Sequence, residues 1–308
     1  MEEQKENISP AVPPQKDNFW KWVALFAIVV SVFTQIYYIG LNNQKKNNPN
    51  QESRTVLNSE NEVSLESGVE LPIEWQDIGK KMIGAGVIDE QAFQAIYKSR
   101  GGLSPEQKRL LSESVSGKIM MTAQNSAYWL NLLWAFGLAN KNQILDKGPM
   151  QDSQYGGAGN FASTGGWTLA KGNPMSHYSA HELVKLTPDE QFLVEKVSKG
   201  IYRPCCGNST YFPDCNHGMA MLGLLELMAA NGVSEQEMYK VALRVNTYWF
   251  PDTYLTIDKY LKMKGSNLAS ADPKEILGEE FSSAYGYQGI VSQIKAPERK
   301  SSGGGCGV

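Results

Sequence analysis

Residues 203–245 read RPCCGNSTYFPDCNHGMAMLGLLELMAANGVSEQEMYKVALRV. From His217 to Asn231 this stretch carries one charge, Glu226, and is long enough to predict an α-helix. Gly232 stops it. Ser234 then caps a second helix carrying Met238, Val241, Ala242 and Val245. Met219 and Met221 sit on the apolar helix and read as core side chains. Glu226, its lone charge, is expected to face solvent.

The same device occurs upstream. AGVIDEQAF (85–93) matches NGVSEQEMY (231–239): a helix stop, a hydrophobic staple and a new cap. No fixed period recurs, so these are two helix hairpins rather than a repeat array. Between them, Asp89 predicts the N-cap of a helix with Phe93, Ile96 and Tyr97, and Ser104-Pro105-Glu106-Gln107 is a capping box with Pro at the first helical position. A long helix is expected from Ile119 to Leu138, rich in Trp129, Leu133, Trp134 and Phe136. Thr187-Pro188-Asp189-Glu190 opens another, running to Lys199. Further helices are expected at Pro251–Met263 and Pro273–Phe281. Residues 140–175, with Gly156, Gly157, Gly159, Gly165, Gly166 and Gly172, lack any phosphate-loop spacing and read as an irregular surface loop, or as a lid beside the segment that follows.

The expected fold class is mostly α: a single N-terminal transmembrane helix followed by a soluble multi-helix domain with a Gly-rich loop. The run Trp22–Leu41, WVALFAIVVSVFTQIYYIGL, is free of charge, and 20 residues at about 1.5 Å each cross a bilayer core. Trp20 and Trp22 at one end and Tyr37 and Tyr38 at the other form the aromatic belts of a membrane span. The expected organisation is a disordered N-tail over 1–18, the membrane helix at 19–41, a flexible polar linker at 42–67, a helical soluble domain at 68–295 and a Gly-rich tail at 296–308 holding Cys306. The lipid bilayer is thus an expected partner, through residues 22–41, and the domain is expected on the extracytoplasmic side.

Of 308 residues, 29 are Lys or Arg and 32 Asp or Glu, a net charge of −3 with no basic stripe. Nucleic acid is therefore not expected as a partner, since phosphate binding needs concentrated positive charge. Four cysteines cannot staple a chain of this length, so the 42% of hydrophobic residues must build a core.

All three histidines, His177, His181 and His217, and three of the four cysteines, Cys205, Cys206 and Cys215, fall between 177 and 217. These are residue types with metal-binding and redox chemistry in common. His177 and His181 are four apart and would share a helix face. Cys205 and Cys206 sit in a turn between Pro204 and Gly207. Cys215 falls at a helix start, where unpaired N–H groups favour a thiolate. The spacing, CC-x8-C-x-H, matches no zinc-finger signature. The candidate metal ligands are Cys205, Cys206, Cys215, His217, His181 and His177, with zinc or copper as the ion and Cys215 as the candidate reactive thiol. A disulfide from Cys205 or Cys206 to Cys215, leaving one thiol free, is the structural alternative.

The segment RPCCGNSTYFPDCNHG, the helix after it and NGVSEQEM resemble the cysteine-then-helix layout of membrane-tethered thiol-reductases of cytochrome c maturation, over some 35 residues. Those proteins carry a CxxC pair where Cys205 and Cys206 are adjacent. The resemblance implies only that a redox role belongs beside the metal one. The expected function is a membrane-anchored metal-binding protein. The alternatives are a membrane-tethered thiol–disulfide oxidoreductase, with a thiol-exchange partner, and a helical interaction module whose cysteines are structural.

Overall fold

Gly137 and Gly223 face each other where the two most apolar helices cross, and everything else is arranged around that crossing. A Cβ added at Gly223 would lie 2.6 Å from the Leu133 carbonyl oxygen, and one at Gly137 would collide with that of Met219. Only glycine lets these backbones approach so closely. The structure, a computed structural model, describes residues 68–294. The expected N-tail, membrane helix, linker and Cys306-bearing tail lie outside the described residues. Among the described residues no helix is long and apolar enough to cross a membrane.

The described chain is mostly helical, with one small antiparallel sheet. In order come β1 (Val69–Leu71), α1 (Ile78–Gly84), α2 (Glu90–Lys98), α3 (Pro105–Ser112), β2 (Ile119–Met121), α4 (Ser126–Ala139) and α5 (Gln143–Lys147). Then follow α6 (Pro188–Lys199), α7 (Asn216–Ala230), α8 (Glu235–Trp249), α9 (Pro251–Met263), α10 (Pro273–Ile276), α11 (Glu279–Ser282) and α12 (Ala284–Gln293). The largest helix–helix contact is α4 against α7, the crossing at Gly137 and Gly223. Trp129, Leu132, Leu133, Phe136, Leu222, Leu224 and Leu225 are buried in or around it.

Local signals placed the helix starts. Asp89 accepts from the Ala92 N–H, and Ser234 from the Glu237 N–H. Ser104 with Gln107 and Thr187 with Glu190 form complete capping boxes. Each such cap is worth about 1 kcal/mol.

Three expectations need correction. Ile119–Met121 begins no helix: it pairs with β1 in the register Val69↔Met121, Glu70↔Met120, Leu71↔Ile119, and α4 starts only at Ser126. Ile119 and Met121 point inward and Met120 outward, the period of a strand. Residues 140–175 are not a surface loop. They hold α5 and several single 3₁₀ turns, and bury Met150, Ala158, Ser163, Thr164 and Trp167. Glu226 does not face solvent: it is fully buried, because its position on α7 turns into the core. Its Oε2 accepts from Asn140 Nδ2 at 2.5 Å. Burial pushes its pKa well above the usual carboxylate range, against the opposing hydrogen bond from Asn140.

Candidate metal and thiol centre

The cysteine pair lies in a tight loop closed by a bridge between Tyr202 and Ser209. Thr210 N–H donates to the Ile201 carbonyl at 2.7 Å and Tyr211 N–H to that of Ser198 at 3.1 Å, tying the loop to the end of α6. On its other side the loop is held from the core. Trp134 Nε1, on α4, donates to the Ser163 carbonyl at 2.6 Å, and the Ser163 N–H donates to the Asp214 carbonyl at 3.1 Å. The rings of Tyr155, Phe161 and Phe212 pack together at centroid distances of 5.3–5.4 Å. The glycine-containing segment is therefore packed against the cysteine loop.

At the centre of the loop is Arg203, only 2% exposed. Its Nε donates to Cys215 Sγ at 3.0 Å, its Nη1 to the Asn208 carbonyl at 3.0 Å and its Nη2 to the Phe212 carbonyl at 2.9 Å. Nη2 also pairs with the Asp214 carboxylate, whose second oxygen accepts from Asn208 Nδ2 at 2.8 Å. The guanidinium lies against the first turn of α7, and a Cβ at Gly218 would lie 2.5 Å from its central carbon. Glycine at 218 is what admits it. Despite burial, the charges of Cys215 and Asp214 keep Arg203 firmly protonated.

Cys215 is the N-cap of α7, its sulfur accepting from the Gly218 N–H at 3.4 Å. Cys205 Sγ is 3.4 Å from Cys215 Sγ. Hydrogen bonds from Cys205 and then Cys206, with the charge of Arg203 and a contribution from His217, hold the Cys215 thiol well below its ordinary pKa. Cys205 is driven upward, first by its hydrogen bond with Cys206 and then by that with Cys215. Cys206, although lowered by Cys205, is pushed up to about 11 by its interaction with Cys215 and by burial. Of the three sulfurs, Cys215 is the one whose surroundings favour the thiolate, while those of Cys205 and Cys206 favour the thiol.

The donor atoms form two close groups that share Cys215. In one, Cys205, Cys215 and His217 each offer an atom within 4.8 Å of the others; in the other, Cys206, Asp214 and Cys215 do. Arg203 already acts as the cation of the second group, bound to both Asp214 and Cys215. Cys206 lies 3.6 Å from Asp214 Oδ1 and 4.0 Å from the Asn208 carbonyl. Arg203 reaches the first group only through the shared Cys215. His217 packs on Phe250 at a ring distance of 4.5 Å and on Trp249 at 5.8 Å, and its buried Nδ1 has no hydrogen-bond partner.

Four of the six expected ligand residues are brought together: Cys205, Cys206, Cys215 and His217. His177 and His181 belong to neither group. They are not on a helix. His177 ends a 3₁₀ turn, Ser179 between them takes φ +50°, and His181 bridges to Asn140. They bind each other instead, Nδ1 to Nε2 at 3.1 Å with rings stacked, and His177 Nε2 is 3.1 Å from the Lys171 carbonyl oxygen. Burial, and then the neighbouring His177, lower the His181 pKa. No disulfide joins the described cysteines: Cys205, Cys206 and Cys215 are all free.

Arg203 and Asp214 were not anticipated as members of the site. A signal for them exists. They are the only Asp, Glu, Lys or Arg between Lys199 and Glu226, and they bracket the cysteines.

What fold and site define is a mostly helical protein with a buried-arginine, three-thiol, one-imidazole cluster at a helix N-terminus. No protein-family model matches the chain, and no curated protein or solved structure matches it either.

Proposed function

We propose that this is a metal-binding protein whose centre holds a zinc ion on Cys205, Cys215 and His217, and that the run Trp22–Leu41 tethers it to a bilayer with the helical domain on the extracytoplasmic side. The observation that carries the metal reading is the buried, unpartnered Nδ1 of His217 on a residue grouped within 4.8 Å of two thiols. A buried polar atom without a partner costs about 1–3 kcal/mol, and imidazole–metal coordination removes such a cost. Two thiolates and a neutral imidazole suit the charge and intermediate softness of zinc. Copper(I) is less suited: Met219 and Met221, the thioethers near the cysteines in sequence, are fully buried core residues. The tether rests on the sequence alone, on an uncharged run of bilayer length between aromatic belts.

The test is metal analysis of the full chain, purified without chelator or affinity histidines. One zinc per chain is expected, lost in Cys215→Ala and in His217→Ala. Absence of stoichiometric metal, or its survival in both variants, overturns the assignment.

A second reading is favoured by the 3.4 Å approach of Cys205 to Cys215. The Cys215 thiolate would attack a partner's disulfide, releasing one partner thiolate and forming a mixed disulfide. Cys205, giving up its proton, would then attack the Cys215 sulfur, leaving a Cys205–Cys215 disulfide and the partner fully reduced. Reduction of a model disulfide by the metal-free protein, abolished in Cys215→Ala but only slowed in His217→Ala, distinguishes this activity.

A further inference from the structure

We propose that the zinc centre is redox-gated: Cys205 and Cys215 are at once the ligand pair and a disulfide pair, so a small-molecule disulfide that oxidises them expels the metal; this rests on the metal-centre reading above. The spacing of the two sulfurs carries the inference. Cys205 Sγ and Cys215 Sγ are 3.4 Å apart. Two sulfurs on one tetrahedral zinc, each at about 2.3 Å, stand about 3.8 Å from each other. A disulfide holds its sulfurs at about 2.05 Å, so about 1.4 Å of closure converts the pair. The two states exclude each other, because a sulfur in a disulfide has no thiolate charge to offer a metal. Oxidation leaves zinc with His217 alone of its three donors.

Cys206 is kept out of this pair. Neighbouring Cα atoms stand about 3.8 Å apart, below the usual disulfide range of about 4.4–6.8 Å, which disfavours a bond from Cys206 to Cys205. Its sulfur approaches Asp214 Oδ1 at 3.6 Å, in the group that Arg203 holds together. The loop keeps its shape when Cys215 loses its charge. Arg203 retains Asp214 and the carbonyls of Asn208 and Phe212. Backbone bonds from Thr210 to Ile201 and from Ala284 to Cys206 hold the loop from two sides. Cys205 is exposed and Cys215 half-buried. Zinc holds both sulfurs as thiolates, so access decides which reacts first. Cys205 attacks the small disulfide, forming a mixed disulfide and releasing one thiolate. Cys215 then attacks the Cys205 sulfur: the Cys205–Cys215 bond forms and the second small thiolate leaves. The two protein sulfurs are oxidised, the small disulfide is reduced to two thiolates, and the zinc ion departs with no proton exchanged.

The experiment treats the zinc-loaded full chain with glutathione disulfide. Released zinc is read with a colorimetric chelator, and linkages are mapped by non-reducing peptide mass spectrometry. The expected result is loss of one zinc per chain in step with a Cys205–Cys215 linkage, and rebinding of zinc after reduction by dithiothreitol. Cys206→Ser is expected to release zinc at a rate within about twofold of the wild type's. Zinc retained after the Cys205–Cys215 linkage has formed, or retained because no such linkage forms, overturns the proposal. So does release that accompanies only glutathione adducts, or a linkage that includes Cys206 or Cys306. A wild-type chain that binds no zinc fails the metal-centre reading itself, a distinct result that takes this proposal with it.

Discussion

Arg203 reaches Cys215 from inside the protein: its Nε donates to the sulfur at 3.0 Å while its side chain is 2% exposed. A guanidinium so placed faces the thiolate with little solvent between them, which separates this cysteine from an ordinary N-cap residue. Replacing Arg203 by Met leaves Asp214 and the Cys215 thiolate without their cation. Loss of one partner of a buried pair destabilises by about 3–5 kcal/mol. Chemical denaturation of Arg203→Met is expected to show a loss of that size; a change below about 1 kcal/mol would contradict the role given to Arg203.

The titration of Cys215 follows from the same contacts. Thiolate absorbance in the metal-free protein is expected to persist at pH values below the ordinary thiol range, because the folded environment lowers this pKa. A lowered acid pKa stabilises the fold above the ordinary thiol range, and that contribution declines as pH falls through the folded value. In Cys205→Ala, which removes the first of the lowering hydrogen bonds, the thiolate titration should move up in pH. An unchanged titration would remove Cys205 from the account.

His177 and His181 lie outside both ligand groups and satisfy each other. His177→Ala and His181→Ala are therefore expected to leave zinc content unchanged, in contrast to His217→Ala. Loss of zinc in either variant, with the fold retained by circular dichroism, would return that histidine to the ligand set.

Glu226 gives a pH dependence of opposite origin. Its folded pKa is raised by burial, so between the unfolded value of about 4.3 and the folded one the unfolded chain holds fewer protons than the native one. Stability should fall as pH rises across that window, by up to about 1.4 kcal/mol per pH unit from this group. Glu226→Gln keeps an acceptor for Asn140 and does not ionise. Urea titrations at pH 5 and 7 should show a smaller decline for the variant than for the wild type, and identical declines would refute the buried-acid account.

At the helix crossing, Gly223→Ala places a methyl group 2.6 Å from the Leu133 carbonyl, a distance that forces α4 and α7 apart. The expected cost is about 1–3 kcal/mol, read as a lowered melting temperature. A neutral or stabilising substitution would mean that the crossing adjusts freely.

The helix starts at Asp89, Ser104, Thr187 and Ser234 were legible in the sequence because a cap is a bond between atoms three residues apart. The cysteine and histidine cluster was legible in part for the same reason: Cys205, Cys206, Cys215 and His217 lie within one loop and one helix turn, and any compact path keeps them close. The tertiary structure alone decided the rest. It paired Ile119–Met121 with Val69–Leu71, across about fifty residues, where three apolar side chains in a row fit a helix or a strand equally well. It turned Glu226 inward onto Asn140 and set His177 and His181 apart from the cysteines. It also drew Arg203 beneath Cys215, since burying a charge depends on what surrounds it on every side, and those surroundings are assembled by packing between segments distant in the chain.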